Sequence, residues 1–195
     1  QFGAPNEDGD ETLGLHGRIS NLPAQAVGYS TEWRGDEYVL EIKGEVRQTR
    51  VFGENLVLRR RISTALGSNK LRIDDTVANE GFEPCPHMLL YHINLGFPLV
   101  GPSTRLKVDS AEVKPRDAEA EVGLDQWSEF QPPTAGYKEQ VFRHQPQAAE
   151  HGIALARVEN PELGLTLQLS FDQKALPYLF QWKMMGQGTY VLGVE

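Results

Sequence analysis

Short runs of alternating apolar and polar residues recur along the chain, separated by turns rich in glycine, proline and asparagine. In residues 56–64, for example, Leu56, Leu58 and Ile62 alternate with polar positions, which is typical of a half-buried strand. The same pattern predicts strands at 38–43, 45–52, 71–79, 89–99, 152–160, 165–171, 178–184 and 189–195. No convincing helix exceeds two turns. The pattern therefore predicts an all-β sandwich or barrel, in one domain over 1–195.

Two segments lack this alternation. Residues 1–14 are rich in glycine and acidic residues and are predicted to form a loop. Residues 110–150 are charged, contain prolines and show little periodicity. Long loops in compact domains are often functional, so we predict a surface excursion over 110–150 and leave open whether it moves as a lid.

The composition limits the classes of partner. The net charge of −8 argues against nucleic acid and anionic membrane surfaces, because both attract basic proteins. No apolar run is long enough to span a membrane. The lone Cys85 allows no internal disulfide and favours a reducing, cytoplasmic location. Because the chain opens on Gln1 and closes on a strand-like run at Glu195, we expect a piece of a longer protein.

The stretch LLYHINLGFPL at 89–99 contains the most informative polar residues. In a strand, His92 and Asn94 share one face, and their burial would require polar partners. His87 is an odd number of residues from His92, so in a continuous strand the two point to opposite faces, which argues against a metal site built from both. His144 and His151 lie in or beside the predicted excursion and are expected to be solvated. Considered alone, His92 is equally consistent with a structural histidine in the core whose ring nitrogens are hydrogen-bonded.

Three segments together resemble the aldose 1-epimerase, or galactose mutarotase-like, superfamily, in a largely uncharacterised bacterial branch. They are LHGR at 15–18, LLYHINLGFPL at 89–99 and YLFQWKMMGQGTYVLGVE at 178–195. The first matches the family's His-Gly pair, the second resembles its His-Tyr-Phe-Asn-Leu segment with one residue fewer, and the third ends where the family places a carboxylate base. The resemblance implies a galactose mutarotase-like β-sandwich (a supersandwich).

The resemblance also implies a reaction, the interconversion of sugar anomers by general acid–base catalysis without a cofactor or a metal. Glu195 would be the base and His92 the acid, since histidine titrates near neutral pH. His16 would contact the sugar near its ring oxygen. The other substrate-binding candidates are Arg18 and Arg47, whose guanidinium groups could donate to hydroxyls or a carboxylate, with Asn94, Gln181 and Trp182.

Two other functions remain open at this stage. A non-catalytic carbohydrate-binding module could use the same fold, because fold does not fix function. A metal-dependent sugar isomerase is the third, and the parity of His87 and His92 argues against it. The expected partner is a monosaccharide or a sugar acid, and the sequence leaves a homo-oligomer open.

Overall fold

The computed structural model describes residues 6–9, 11–14 and 16–195 of the chain. These residues form two compact units, one ending at Leu90 and the other running from Tyr91 to Glu195. Strands dominate both units, which confirms the all-β prediction. No helix in the described ranges is long and apolar enough to cross a membrane.

The first unit contains a short hairpin and a four-stranded antiparallel meander. The hairpin pairs β1 (Asn6–Asp8) with β2 (Glu11–Leu13), and a 3-10 helix follows at Ile19–Asn21. The meander has the order β3-β4-β5-β6, with β3 Gln25–Arg34, β4 Glu37–Thr49, β5 Asn55–Ala65 and β6 Arg72–Asn79. Turns at 50–54 and 66–71 join the last three strands.

Cross-strand pairs hold this meander together. Ile42 of β4 lies opposite Ile62 of β5, which in turn lies opposite Ile73 of β6, so β-branched side chains form one row across the sheet. On the same face, Arg60 donates to Asp75 over 2.9 and 2.7 Å. The row and the ion pair fix the register, because a slip of one residue would move both to the other face.

The second unit is built from two antiparallel sheets. The five-stranded sheet has the order β7-β14-β13-β10-β9, and the three-stranded sheet has the order β12-β11-β8. The strands are β7 Ile93–Leu95, β8 Arg105–Val108, β9 Ser110–Pro115, β10 Gln140–Pro146, β11 Ile153–Asn160, β12 Leu165–Asp172, β13 Leu179–Gly186 and β14 Thr189–Val194. The helical elements are α1 Ala118–Val122 and 3-10 turns at Leu124–Gln126 and Glu150–Gly152.

The core of this unit lies between its two sheets. Val158 of β11 packs in one buried cluster with Met185 of β13 and Leu192 of β14, all at most 1% exposed. Burial alternates along β13, so Leu179 and Met185 face the core while Trp182 faces away from it. This alternation gives the five-stranded sheet one core face and one outer face, and the outer face holds the candidate site.

The structure corrects the predicted excursion over 110–150. Residues 110–115 and 140–146 are strands β9 and β10, and β10 lies inside the sheet between β9 and β13. His144, expected to be solvated, has no exposed surface, while His151 is exposed as predicted. Polar residues on the buried face of β10 find partners inside the unit, so a polar sequence is compatible with burial here.

Three smaller predictions also change. The strands predicted at 38–43 and 45–52 are the single strand β4, and only residues 93–95 of the run 89–99 form a strand. The predicted loop over 1–14 contains the hairpin of β1 and β2, and its residues 1–5 and 10 lie outside the described residues. The expectation of one domain over 1–195 stays a prediction.

Candidate functional site

Three neighbouring strands bring the predicted acid, base and aromatic side chain to the outer face of the five-stranded sheet. Trp182 of β13 lies directly opposite Gly193 of β14, and Gly193 lies opposite Asn94 of β7. Directly opposed residues of antiparallel strands point to the same side. His92 and Glu195 are each two residues from a member of this row, and they meet beside Trp182.

The central contact of the site joins His92 and Glu195. His92 Nε2 lies 3.1 Å from Glu195 Oε1, and the glutamate side chain is only 4% exposed against 27% for the histidine. Backbone hydrogen bonds of 2.7 and 2.8 Å between Phe180 and Glu195 hold the glutamate at the end of β14. Burial, assisted by the negative charge of Glu139, raises the pKa of Glu195 to about 7.

Gly193 makes room for this carboxylate. A Cβ atom at residue 193 would stand 2.6 Å from Glu195 Oε1 and 3.1 Å from Trp182 Cβ, both closer than van der Waals contact. The missing side chain therefore lets the carboxylate lie against the indole of Trp182. Glycine at this place in a strand is explained by the close approach of two side chains rather than by a turn.

Trp182 is held on two sides. Its ring meets His92 edge-on, with centroids 5.9 Å apart and planes at 83°. Its indole Nε1 donates to Glu139 Oε2 over 2.9 Å, and Arg116 Nη2 donates to Glu139 Oε1 over 3.0 Å. Glu139 and Arg116 were not predicted from the sequence, because both lie within the stretch interpreted as a surface excursion.

Two other residues predicted to bind substrate, Asn94 and Gln181, lie on opposite faces of the five-stranded sheet. Asn94 is exposed on the outer face, in the row with Trp182. Gln181 lies on the core face with no exposed surface, where its Oε1 is 3.2 Å from His144 Nε2 and its Nε2 donates to the Trp127 carbonyl over 2.7 Å. The structure thus brings Asn94 to the site and corrects the expected placement of Gln181, which stabilises the core.

The predicted sugar-contacting histidine belongs to the first unit. His16 is half-buried in a turn with φ of 65°, and Gly17 follows with φ of 70°. The first residue of the LHGR motif, Leu15, lies outside the described residues. A sugar contact by His16 stays a prediction.

The two predicted arginines of the first unit make ion pairs with acidic neighbours. Arg18 Nη1 pairs with Glu54, and the pKa of Glu54 is lowered by backbone and Arg18 hydrogen bonds that outweigh its burial. Arg47 Nη1 lies 2.8 Å from Glu80 and donates to Asn55 over 2.6 Å. Their role in substrate binding also stays a prediction.

Two concave surfaces of the second unit lie apart from the candidate pair. Two shallow depressions of about 520 and 480 Å³ border β8 and β11, and neither includes His92 or Glu195. Within the described part of the chain, no three histidine, cysteine, aspartate or glutamate side chains cluster where a metal ion could bind.

The arrangement is suited to moving protons near neutral pH. A carboxyl group with a pKa of about 7 is present in both its acid and its base form there, so it can accept and return a proton readily. The imidazole of His92, at hydrogen-bond distance, provides a second group that can carry a proton. The flat indole of Trp182 beside them provides an apolar surface with fixed orientation.

Comparisons with known proteins bear on the family and the fold of the chain. The model of a domain family of unknown function, DUF4432, matches residues 1–195. A crystal structure from Klebsiella pneumoniae subsp. pneumoniae MGH 78578, of a protein named a "putative aldose 1-epimerase", is similar with a TM-score of 0.93 and 28% sequence identity. The similarity covers 97% of this chain and 50% of that protein, so the chain spans about half the length of its relative. No curated protein matches.

These findings confirm the resemblance to the aldose 1-epimerase superfamily and the sandwich fold expected from it. The match extends over nearly the whole chain, so it does not depend on the three short motifs alone.

Proposed function

The chain belongs to the DUF4432 family, and we propose that it is a sugar epimerase that interconverts the anomers of a free aldose or a sugar acid. The observation that carries the proposal is the 3.1 Å contact between His92 Nε2 and Glu195 Oε1, with a glutamate pKa of about 7. The name of the similar structure from Klebsiella supports the same class of reaction.

The proposed reaction needs only proton transfers and one reversible bond cleavage. Glu195 removes the proton of the anomeric hydroxyl while protonated His92 donates a proton to the ring oxygen. The bond between the anomeric carbon and the ring oxygen breaks, its electron pair goes to that oxygen, and an open-chain aldehyde forms. Rotation of the aldehyde followed by the reverse transfers closes the ring on the other face, and both residues regain their starting protonation.

The neighbouring residues would bind the sugar. Trp182 presents an apolar surface that can stack on the C–H face of a pyranose ring, as aromatic side chains commonly do with flat apolar groups. Asn94, exposed on the same sheet face, can both donate and accept hydrogen bonds with hydroxyl groups. Because Glu195 is almost fully buried, its proton exchange would occur largely shielded from water.

The test is saturation-transfer NMR on a panel of aldoses and uronic acids, which measures magnetisation exchange between the α and β anomers. The protein should accelerate exchange for at least one sugar. His92→Ala and Glu195→Gln should each reduce this acceleration by about 10²–10⁴-fold, the usual contribution of a positioned acid or base.

Matched controls are the exposed residues His87 and Glu121, as His87→Ala and Glu121→Gln, which should behave like the wild type. Circular dichroism of all four variants would verify that they fold. Unchanged exchange in both His92→Ala and Glu195→Gln would contradict the proposed mechanism. Broadened sugar signals without faster exchange would instead indicate a non-catalytic carbohydrate-binding module.

A further inference from the structure

A chain of contacts leads from the surface of the second unit to the catalytic pair. Arg116 follows β9 directly and donates to Glu139, which precedes β10 directly. Glu139 accepts the indole N–H of Trp182, and Trp182 meets His92 edge-on. The backbone N–H of Arg116 donates to the Val141 carbonyl over 2.9 Å, so the ends of β9 and β10 hold the two charged residues together.

Both carboxylate oxygens of Glu139 are used in these contacts. Oε2 accepts from Trp182 and Oε1 accepts from Arg116, at 2.9 and 3.0 Å. The direction of the indole ring is therefore determined by an acceptor that is itself held by a guanidinium group. An indole N–H has one donor direction, so a fixed acceptor restricts rotation of the ring about its χ angles.

We propose that Glu139 and Arg116 are a positioning pair, which orients Trp182 beside His92 and regulates proton exchange at Glu195 without contacting the reacting atoms. This inference rests on the proposed epimerase function for its consequence in catalysis. Its structural part, the orientation of Trp182 and the electrostatic influence on Glu195, can be measured without any substrate.

The electrostatic part has a definite sign. The groups facing Glu195 are His92 from the segment before β7, Trp182 and Phe180 from β13, and Glu139 from the start of β10. Of these, Glu139 carries a negative charge that disfavours ionisation of Glu195 and so contributes to its raised pKa. Arg116 neutralises part of that charge. Removing the charge of Glu139 should therefore lower the pKa of Glu195, and removing the charge of Arg116 should raise it.

Three substitutions separate orientation from charge. Glu139→Gln keeps an oxygen acceptor for the indole and removes the charge, Glu139→Leu removes both, and Arg116→Gln leaves the charge of Glu139 without its guanidinium partner. Both side chains are more than 40% exposed, so none of the three should unfold the protein. Glu121→Gln, on the exposed side of α1, is the matched control.

The first readout is an NMR titration of the Glu195 side-chain carboxyl carbon, assigned with Glu195→Gln. Its pKa should fall in Glu139→Gln, rise in Arg116→Gln and stay at the wild-type value in Glu121→Gln. The indole N–H signal of Trp182, assigned with Trp182→Phe, should stay close to its wild-type position in Glu139→Gln and move in Glu139→Leu.

The second readout is anomer exchange. Glu139→Gln should shift the pH profile to lower pH with little change in KM, while Glu139→Leu should raise KM by about two- to tenfold, as loss of one hydrogen bond does. An unchanged Glu195 titration in Glu139→Gln, or shifts of the same sign in Glu139→Gln and Arg116→Gln, would overturn the inference. A wild type that exchanges no anomers, with both titration shifts present, would overturn only the proposed function.

Discussion

The free energy of unfolding of Glu195→Gln should increase relative to that of the wild type as the pH rises from about 4 to about 7. The pKa of Glu195 is raised from its ordinary 4.5 to about 7 in the folded state. Between these values the unfolded chain has lost this proton and the folded protein retains it. The folded state therefore binds more protons, and its free energy of unfolding falls as the pH rises, until both states are ionised above pH 7.

The size of the effect follows from the shift. At about 1.4 kcal/mol per pKa unit, a rise from 4.5 to about 7 corresponds to about 3 kcal/mol. This figure is an upper bound, because protonated His92 would pair with ionised Glu195 and recover part of the energy. The glutamine variant lacks the titration and should not show the loss.

The wild type alone would hide this effect, because a second buried group titrates with the opposite sign. Burial lowers the pKa of His144 from 6.5 to about 4, so the folded protein resists protonation that the unfolded chain accepts. This contribution makes stability rise with pH over nearly the range in which Glu195 makes it fall. Only the difference between wild type and Glu195→Gln isolates the glutamate.

The assay is urea unfolding followed by tryptophan fluorescence at a series of pH values, with the midpoint and slope fitted for each protein. The stability difference between Glu195→Gln and wild type should increase from about pH 4 to about pH 7 and then level off. Glu121→Gln provides the control for loss of one exposed glutamate. A difference that stays constant over this range would refute the reasoning.

Three further outcomes follow from buried or tightly packed groups. Lys183 is fully buried, and burial lowers its pKa to about 8. In urea unfolding, the wild type should therefore gain stability relative to Lys183→Met as the pH rises from about 8 to about 10.5. A stability difference that stays constant over this range would contradict the prediction. The His144 imidazole should stay neutral to about pH 4 in a ¹⁵N NMR titration, whereas a midpoint near its ordinary 6.5 would be inconsistent with burial. Gly193→Ala should displace the Glu195 carboxylate and reduce the rate of anomer exchange by about 10²-fold. The control Gly101→Ala, with no atom within 4 Å of the new Cβ, should match the wild type. Equal exchange rates in Gly193→Ala and the wild type would disprove the packing argument.

Alternation along the chain predicted much of the sheet structure, because strands such as β12 bury one face more than the other. Residues 56–64 and 165–171 alternate in sequence, and β5 and β12 lie there. The alternation pattern did not predict strand β10, because the buried face of this strand carries the polar residues Gln140 and His144. Hydropathy assigns such residues to the surface, while most of their hydrogen-bond partners come from segments far away in the sequence.

Some residues of the candidate site could also be predicted from the sequence, and others could not. The pair of His92 and Glu195 was expected from the resemblance, and the structure brings the two together. Strand parity would have separated Gln181 from Trp182, since adjacent residues of a strand point to opposite faces. No local pattern marks Glu139, because its contacts to the indole and to Arg116 arise from the pairing of β9, β10 and β13.

The sequence left open whether the 110–150 stretch moves as a lid, and the contacts of residues 116–139 bear on that question. From the core face of β13, Gln181 donates to the Trp127 carbonyl and Lys183 donates to the Gln126 carbonyl, at 2.7 and 3.0 Å. From the outer face, Trp182 donates to Glu139. Three consecutive residues of one strand thus hold the 116–139 segment at both of its sides. Opening this segment would break a hydrogen bond of a buried lysine, which is costly, so we infer that it orients the site rather than closing over it.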